Sequence, residues 1–504
     1  MQAASVVPTD PLCDVEGDAV PQWVFVVLLL AVLAAPLVLM PILAPSDEDT
    51  SSEKRELAPA PRLTVDGIPN PRVMVEAGDY YADHFALRSQ LVDLDTSIKQ
   101  SLLLTSSIKN VVVGYDGWLY YAGELGDYQR TSVMSDRALN NAARNLAMVQ
   151  EVLEGDGKRF VVAIAPNKST LYPAHLPYYE IAGEGQGNYE RLMPLLRQYG
   201  VHVVDLRATF GELSEEMYLK RDSHWTDAGA LRAFEAIRAA LGRSGNLLGG
   251  GQEVTTVARV GDLDGMLHPT SAAPEEQSHL DDVDQFSFVG KATSVEDNYL
   301  VTNATDEGAR GSLLMYRDSF GNALLPPFAS VYRQAAFTKL VPYDLGEQMY
   351  SFANDVVIER TERHLPFFAT TPPYMAAPGR TIEEEGDATG GQTSVCLAIN
   401  GPYLVVEGTL DETVTPDDAH VFVEVSLPGD EPHVYEAFVV SEATRGAGDF
   451  EGQEVQSSRN IVGDWGYRAY VPMSDQADVV PEGCRARVLV GDTSHAVEVG
   501  SVTQ

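Results

Sequence analysis

Basic residues are scarce: 35 Lys and Arg stand against 73 Asp and Glu in 504 residues, a formal charge of −38 at neutral pH. Nucleic acids and anionic membrane surfaces repel such a chain, which excludes them as partners; a neutral or weakly charged substrate fits better. Cysteine is rarer still. Cys13, Cys396 and Cys484 are too few for a disulfide scaffold or a multi-cysteine zinc site. Either Cys396 and Cys484 form one bridge in an oxidising compartment or both are unpaired buried thiols. The histidines are scattered, with no H-E-x-x-H or Cys/His spacing, so no metal site is expected. GDGKR at Gly155 lacks the length and the Ser/Thr of a P-loop, so no nucleotide cofactor is expected. Repeats at solenoid periods are also missing.

What is present suffices for a core, at 44% hydrophobic residues, and at about 150 residues per domain the length suggests roughly three units. One long hydrophobic run exists, residues 23–44 (WVFVVLLLAVLAAPLVLMPILA), uncharged and close to the ~20 residues that cross a bilayer as a helix. The tail before it, 1–22, carries Asp10, Asp14, Glu16 and Asp18 but no Lys or Arg, so a retained transmembrane anchor is expected rather than a signal peptide. Lys54, Arg55 and Arg62 follow the run, and by positive-inside counting they place the large C-terminal part in the cytoplasm. Residues 45–72, rich in Pro, Ser and acids, are expected to be a disordered spacer.

Over 73–378, apolar runs alternate with helix-period stretches, the pattern of a parallel sheet with crossover helices. Strands are expected at 160–165, 201–205, 313–316, 335–340 and 355–358, and helices at 136–153 and 227–241. A glycine-rich polar stretch, 244–298, interrupts the pattern. Residues 379–392 read as a linker. Beyond it, 393–504 holds seven short apolar runs at even spacing, the pattern of a β-sandwich. Tyr403, Tyr435, Trp465, Tyr467 and Tyr470 are its candidate sugar-stacking aromatics, with core packing the favoured role for most.

Two stretches carry chemistry. KRDSHWTDAGA, 220–230, sets Asp222 two residues before His224 on a loop that leads into a helix. A carboxylate beside an imidazole fixes its tautomer and stabilises its protonated form, as a general base requires. LLMYRDSFGNALLPPF, 313–328, ends a strand at Tyr316 and sets Ser319 in the turn before an apolar helix. Ligands of open α/β sheets bind outside the carboxyl ends of the strands. At that place Phe320 or Gly321 would aim backbone N–H groups at an oxyanion. A serine hydroxyl needs a base to become a nucleophile, which gives a Ser/His/Asp triad in chain order Asp222, His224, Ser319. That order, without a G-x-S-x-G elbow, disfavours the α/β-hydrolase fold.

At these residues the chain resembles the alginate O-acetyltransferase family of SGNH-hydrolase-like proteins. The similarity runs through YYADHFALRSQLV (80–92), VVVGYDGWLYYAGE (111–124), VVAIAPNKSTLYPAHLP (161–177), RDSHW, YRDSF and DVVIERTERHL (355–365). It implies a three-layer α/β/α domain over 73–378 that moves an acetyl group through an acetyl-serine to a hydroxyl of an extracellular or cell-wall polysaccharide. The family's triad carries over to Asp222, His224 and Ser319. The resemblance also implies an extracytoplasmic globular part, against the charge count, and an acetyl donor supplied by a multi-span membrane acyltransferase. The acidic surface puts alginate, itself a polyanion, in doubt as acceptor. An acetylesterase using water is the alternative with the same triad; a non-catalytic glycan-binding assembly protein is the alternative without it.

Further residues are candidates for oxyanion or substrate contacts. Asn167 and Lys168 sit just past a strand end, where turn chemistry is the competing reading. Arg317 either binds the acceptor or pairs with Asp318, the second being favoured. Trp225 either stacks on a sugar or packs in the core. Trp118 and His84 read as packing residues, and Glu359, Arg360 and Arg363 as an ion-pair set.

Overall fold

Hydrophobic runs buried on both faces and joined by amphipathic helices dictate a parallel sheet between two helical layers. The computed structural model describes residues 22–39, 58–65, 67–211, 217–243, 254–280, 283–386, 392–413, 415–416, 418–441, 465–473 and 478–504. Two units divide the chain: residues 1–98 with 265–271, and residues 99–264 with 272–504.

The first unit holds helices α1 (Gln22–Leu39) and α2 (Val73–His84). The anchor expected over 23–44 is not found as a spanning helix. The 18 residues of α1 reach roughly 27 Å at 1.5 Å per residue, against a hydrocarbon core of about 30 Å. Residues 40–44 lie outside the described ones, and no described helix is long and apolar enough to cross a membrane. Of the spacer expected over 45–72, residues 45–57 and 66 lie outside the described ones, and among the rest Thr64–Val65 pairs antiparallel with Ile68–Pro69.

The second unit begins with a hairpin of β1 (Val111–Val113) and β2 (Leu119–Tyr121). There follow α3 (Asp136–Gly155), β3 (Arg159–Ala165), α4 (Asn188–Gln198), β4 (Val203–Asp205) and α5 (Asp227–Ala240). Serine and threonine caps start two of the helices: Ser135 accepts from Ala138 N at 3.0 Å and Thr226 from Gly229 N at 3.1 Å. Next come β5 (Val254–Val260), β6 (Pro274–Leu280), β7 (Phe286–Val289) and β8 (Tyr299–Ala304). Then follow β9 (Ser312–Tyr316), α6 (Gly321–Val331), β10 (Gln334–Thr338) and β11 (Asp355–Thr361).

The central sheet has seven strands in the order β4-β3-β11-β9-β10-β8-β7. The first five are parallel, and β8 and β7 add an antiparallel edge. Alternate side chains feed opposite cores, as the two-residue period of a strand requires. Phe160, Val162, Ile164, Leu314, Val356 and Ile358 pack with α3 and α4. Val161, Ala163, Leu313, Met315 and Val357 pack with α5 and α6. The three-layer expectation and its five parallel strands are met. Among its described residues, the polar interruption at 244–298 supplies the antiparallel β5/β6 hairpin and β7.

The β-rich tail forms two sheets. β12 (Cys396–Asn400), β13 (Tyr403–Thr409), β14 (His420–Ser426) and β15 (His433–Glu436) are followed by β16 (Phe438–Val440), β17 (Gly466–Pro472), β18 (Arg485–Gly491) and β19 (His495–Thr503). One sheet is β12-β13-β17-β16, and the other contains β15-β14-β18-β19. Between them lies a core of Leu404, Val406, Val421, Val423, Val439, Tyr467, Val488 and Val490. HVYEAFVV, expected as one strand, breaks at Ala437 and passes from one sheet to the other. The stretch expected as a linker is not one throughout, because Gly379–Arg380 and Glu384–Gly386 are edge strands of the second sheet.

This tail is seated on α3. Asn145 donates to Val439 O at 2.8 Å, Arg144 pairs with buried Glu436, and Arg380 bridges Glu151 and Glu436. Its candidate sugar-stacking aromatics have internal partners. Trp465 lies under the Arg137 guanidinium at 3.9 Å, Tyr403 and Tyr470 meet Tyr374 edge to face, and Tyr467 is fully buried. Of the two readings of Cys396 and Cys484, the bridge is not made: both are free thiols, with Cys484 buried and Cys396 exposed.

Candidate active site

Because β3, β11 and β9 are parallel neighbours, the residues just past their carboxyl ends line one edge of the sheet. Past β3 come Asn167 and Lys168, past β11 Glu362 to His364, and past β9 Arg317 to Ser319. The loop bearing Asp222 and His224 reaches the same edge from a narrow turn, closed by a bridge between Tyr218 and Trp225 and by Thr226 N donating to Met217 O at 2.8 Å.

The Asp-x-His spacing has a direct consequence. Asp222 Oδ1 accepts from the backbone N–H of His224 at 2.8 Å and from its ring Nδ1 at 2.7 Å, so one carboxylate fixes both main chain and imidazole. Its other oxygen accepts from Asp262 N at 3.0 Å. Burial pushes the Asp222 carboxyl up. The bond and charge of His224 and the two N–H groups outweigh burial and hold it well below the usual carboxylate range. A proton held on Nδ1 by that carboxylate leaves Nε2 as the basic nitrogen.

Ser319 is half-buried in the turn between β9 and α6. The next residue, Phe320, lays its ring 4.9 Å from the His224 imidazole and 5.1 Å from Trp225, centroid to centroid. The turn is held by Asp318. Its carboxylate accepts from Phe320 N at 2.9 Å, Thr361 N at 2.9 Å, Thr361 Oγ1 at 2.6 Å and His364 Nδ1 at 2.9 Å. Burial opposes its ionisation, but His364, Arg363 and Arg360 outweigh burial and leave it ionised well below the usual range. Close packing requires glycine at 321, where a Cβ would lie 2.5 Å from Arg317 Cβ.

Several candidates turn out to serve the scaffold. Phe320 N–H, expected to face an oxyanion, donates to Asp318 instead. Asn167 is fully buried, its backbone N–H on Glu362, its amide on Asp127 and its carbonyl taking Arg363 N. Arg317, also buried, reaches Asn322 and the carbonyls of Val295 and Asp297 rather than the Asp318 carboxylate. Trp225 is a core residue between Phe210 and Phe320. Lys168 is wholly enclosed and donates to three main-chain carbonyls.

Two residues that sequence reasoning missed brace the Asp222 loop from the polar stretch. Asp262 accepts from Ser223 N and Ser223 Oγ, both at 2.7 Å, and Glu275 on β6 accepts from Lys220 N at 2.7 Å and Arg221 N at 3.2 Å. Gly261 permits the approach, for a Cβ there would meet Arg221 O at 2.2 Å. Asp222, His224 and Asp262 present donor atoms within 4.8 Å of one another, a closeness these hydrogen bonds account for. No local motif marks Asp262 or Glu275, since each acts some forty to fifty residues from its partner.

Residues 111–306 match the family model described as an SGNH hydrolase-like domain, acetyltransferase AlgX. The likeness covers less than half of the chain. The Asp222 loop lies inside the matched stretch and Ser319 beyond it. Among curated relatives, the probable alginate O-acetylase AlgJ of Pseudomonas syringae pv. tomato is 30% identical over 190 residues, covering 36% of this chain and 46% of that protein. AlgJ of Pseudomonas aeruginosa is 27% identical over 133 residues, 26% of this chain and 33% of the relative. The chain thus spans less than half the length of these curated relatives. Of the solved structures, the O-acetyltransferase domain of Pseudomonas putida AlgJ is 22% identical, with TM-score 0.32, covering 51% of this chain and 92% of that one. AlgX of Pseudomonas aeruginosa is 16% identical, with TM-score 0.37, covering 76% and 94%.

Proposed function

We propose that this protein is a polysaccharide O-acetyltransferase that works through an acetyl-Ser319 intermediate. The observation that carries the reading is the contact of the Asp222-held His224 imidazole with Phe320, next to Ser319, on the carboxyl edge of the parallel sheet. The family match of the surrounding domain supports it.

In this mechanism His224 Nε2 takes the Ser319 hydroxyl proton as Oγ attacks the acetyl carbonyl carbon. The donor's oxygen then leaves with that proton, and the acetyl group stays on Oγ. A sugar hydroxyl next gives its proton to His224 and attacks the acetyl-serine. The acetylated sugar departs, and the imidazolium returns the proton to Oγ. The Gly321 N–H at the head of α6 is our assignment for an oxyanion donor. With a charge of −38, the acceptor that fits is a neutral or weakly charged glycan rather than a polyuronate.

We place the globular part outside the cytoplasm, with the acetyl donor supplied by a membrane acyltransferase. Protease added to intact cells should then degrade it. Full-length protein assayed with an activated acetyl ester, with and without oligosaccharides, tests the transfer itself. Acetylated sugar formed at the expense of free acetate supports transfer; acetate alone with every neutral and uronate acceptor makes the protein an esterase.

A further inference from the structure

A buried ammonium is costly unless its three N–H bonds are all satisfied. Lys168, on the first turn past β3, has no exposed surface. Its Nζ donates to Leu119 O at 2.6 Å, Lys220 O at 2.8 Å and Asp222 O at 2.9 Å. Three donors thus meet three carbonyls, two of them in the loop that carries Asp222 and His224 and one on β2. The rings of Trp118 and Tyr120 flank the same ammonium at 5.0 and 5.3 Å. Leu119 N closes the arrangement by donating to Lys220 O at 2.8 Å.

We propose that Lys168 is a positioning residue for catalysis, its charged ammonium fixing the main chain at Asp222 so that the carboxylate holds His224 in line with Ser319. This deepens the proposed acetyl transfer and rests on it. Geometry alone makes the case. A neutral, apolar side chain of similar length would take this donor from all three carbonyls and leave Lys220 O with Leu119 N alone, and relaxation of the loop toward water would move Asp222 first. Burial lowers the ammonium to about 8, against the pull of Glu124, Asp222, Asp262 and Glu275, with Lys220 the neighbouring cation. The clamp is therefore charged at neutral pH and is released as pH rises through that value.

Lys168→Met in the full-length protein tests the assignment, with Lys168→Arg as a second variant should the first not fold. The first readout is the split between kcat and KM with an activated acetyl ester. The second is the low-field proton resonance of His224 Nδ1, assigned by its loss in His224→Asn. We expect kcat to fall by about a hundredfold with KM nearly unchanged, and the resonance to shift upfield or broaden in a protein that remains folded. The wild-type kcat should in turn decline on the alkaline side, and this limb should vanish in the variant. A folded variant with wild-type kcat and an unmoved resonance overturns the assignment. The acetyl-transfer reading is checked separately: if Ser319→Ala retains activity, that reading fails, while the resonance still decides whether Lys168 positions His224.

Discussion

The imidazole of His224 and the phenyl ring of Phe320 lie 4.9 Å apart, centroid to centroid. Nearly a hundred residues separate them in sequence, and across their contact the loop of the proposed general base meets the turn of the proposed nucleophile. The Phe320 ring also faces the guanidinium of Arg363 at 5.6 Å, so the residue after the serine packs against elements following two different strands.

Asp222→Asn keeps the size of the side chain but presents an amide to Nδ1, favouring the wrong imidazole tautomer. The expected outcome is a loss of about 10⁴ in kcat and a lowered melting temperature, because the stability tied to the ionised Asp222 carboxyl is lost with its charge, measured with an activated acetyl ester and by thermal unfolding.

Gly261→Ala tests whether the polar hairpin shapes the site. Its Cβ would come within 2.2 Å of Arg221 O, so the loop must shift. We expect a folded protein, destabilised by about 1–3 kcal/mol as overpacked sites usually are, with kcat reduced more than KM. Denaturant unfolding and steady-state kinetics check both.

Buried acids behind the sheet edge set the pH response of stability. Burial raises Glu362 to about 8 and Asp127, beside it, to about 7. Both carboxyls are protonated in the folded state at a pH where the unfolded chain has ionised them, above about 4. The folded state therefore binds more protons, and stability falls as pH rises toward 8. Asp222 and Asp318, held low, act oppositely: their contribution is present above about pH 4 and disappears in stronger acid. Glu362→Gln, able to keep the bond from Asn167 N, should flatten the decline between pH 5 and 8, as followed by melting temperature.

The parallel sheet was legible because strands buried on both faces must be apolar throughout, as FVVAIA and LLMY are. The chain turn at Ala437 was not, since no Gly, Pro or other turn residue interrupts HVYEAFVV and only tertiary packing chooses the sheet each half joins. The β6 strand, PEEQSHL, was hidden by its polarity: Glu275 and Gln277 bond to the loop they brace, at Lys220 and Asp227. Asp222 and His224 could be read from spacing, because two residues suffice for one carboxylate to reach both the N–H and the ring. Lys168 could not, for nothing local announces that a lysine will be enclosed by carbonyls from two distant segments. Asn167 and Arg317 sat where ligand contacts are common, yet neighbouring elements satisfy their polar atoms from within.

The most direct test of the account is mass spectrometry of the full-length protein after brief exposure to an activated acetyl ester. It predicts an adduct of about 42 Da, one acetyl group, on the peptide containing Ser319 in the wild type. The adduct should be lost in Ser319→Ala and strongly reduced in His224→Asn. Rapid turnover with the acetyl group on another residue, or undiminished activity in Ser319→Ala, would contradict it.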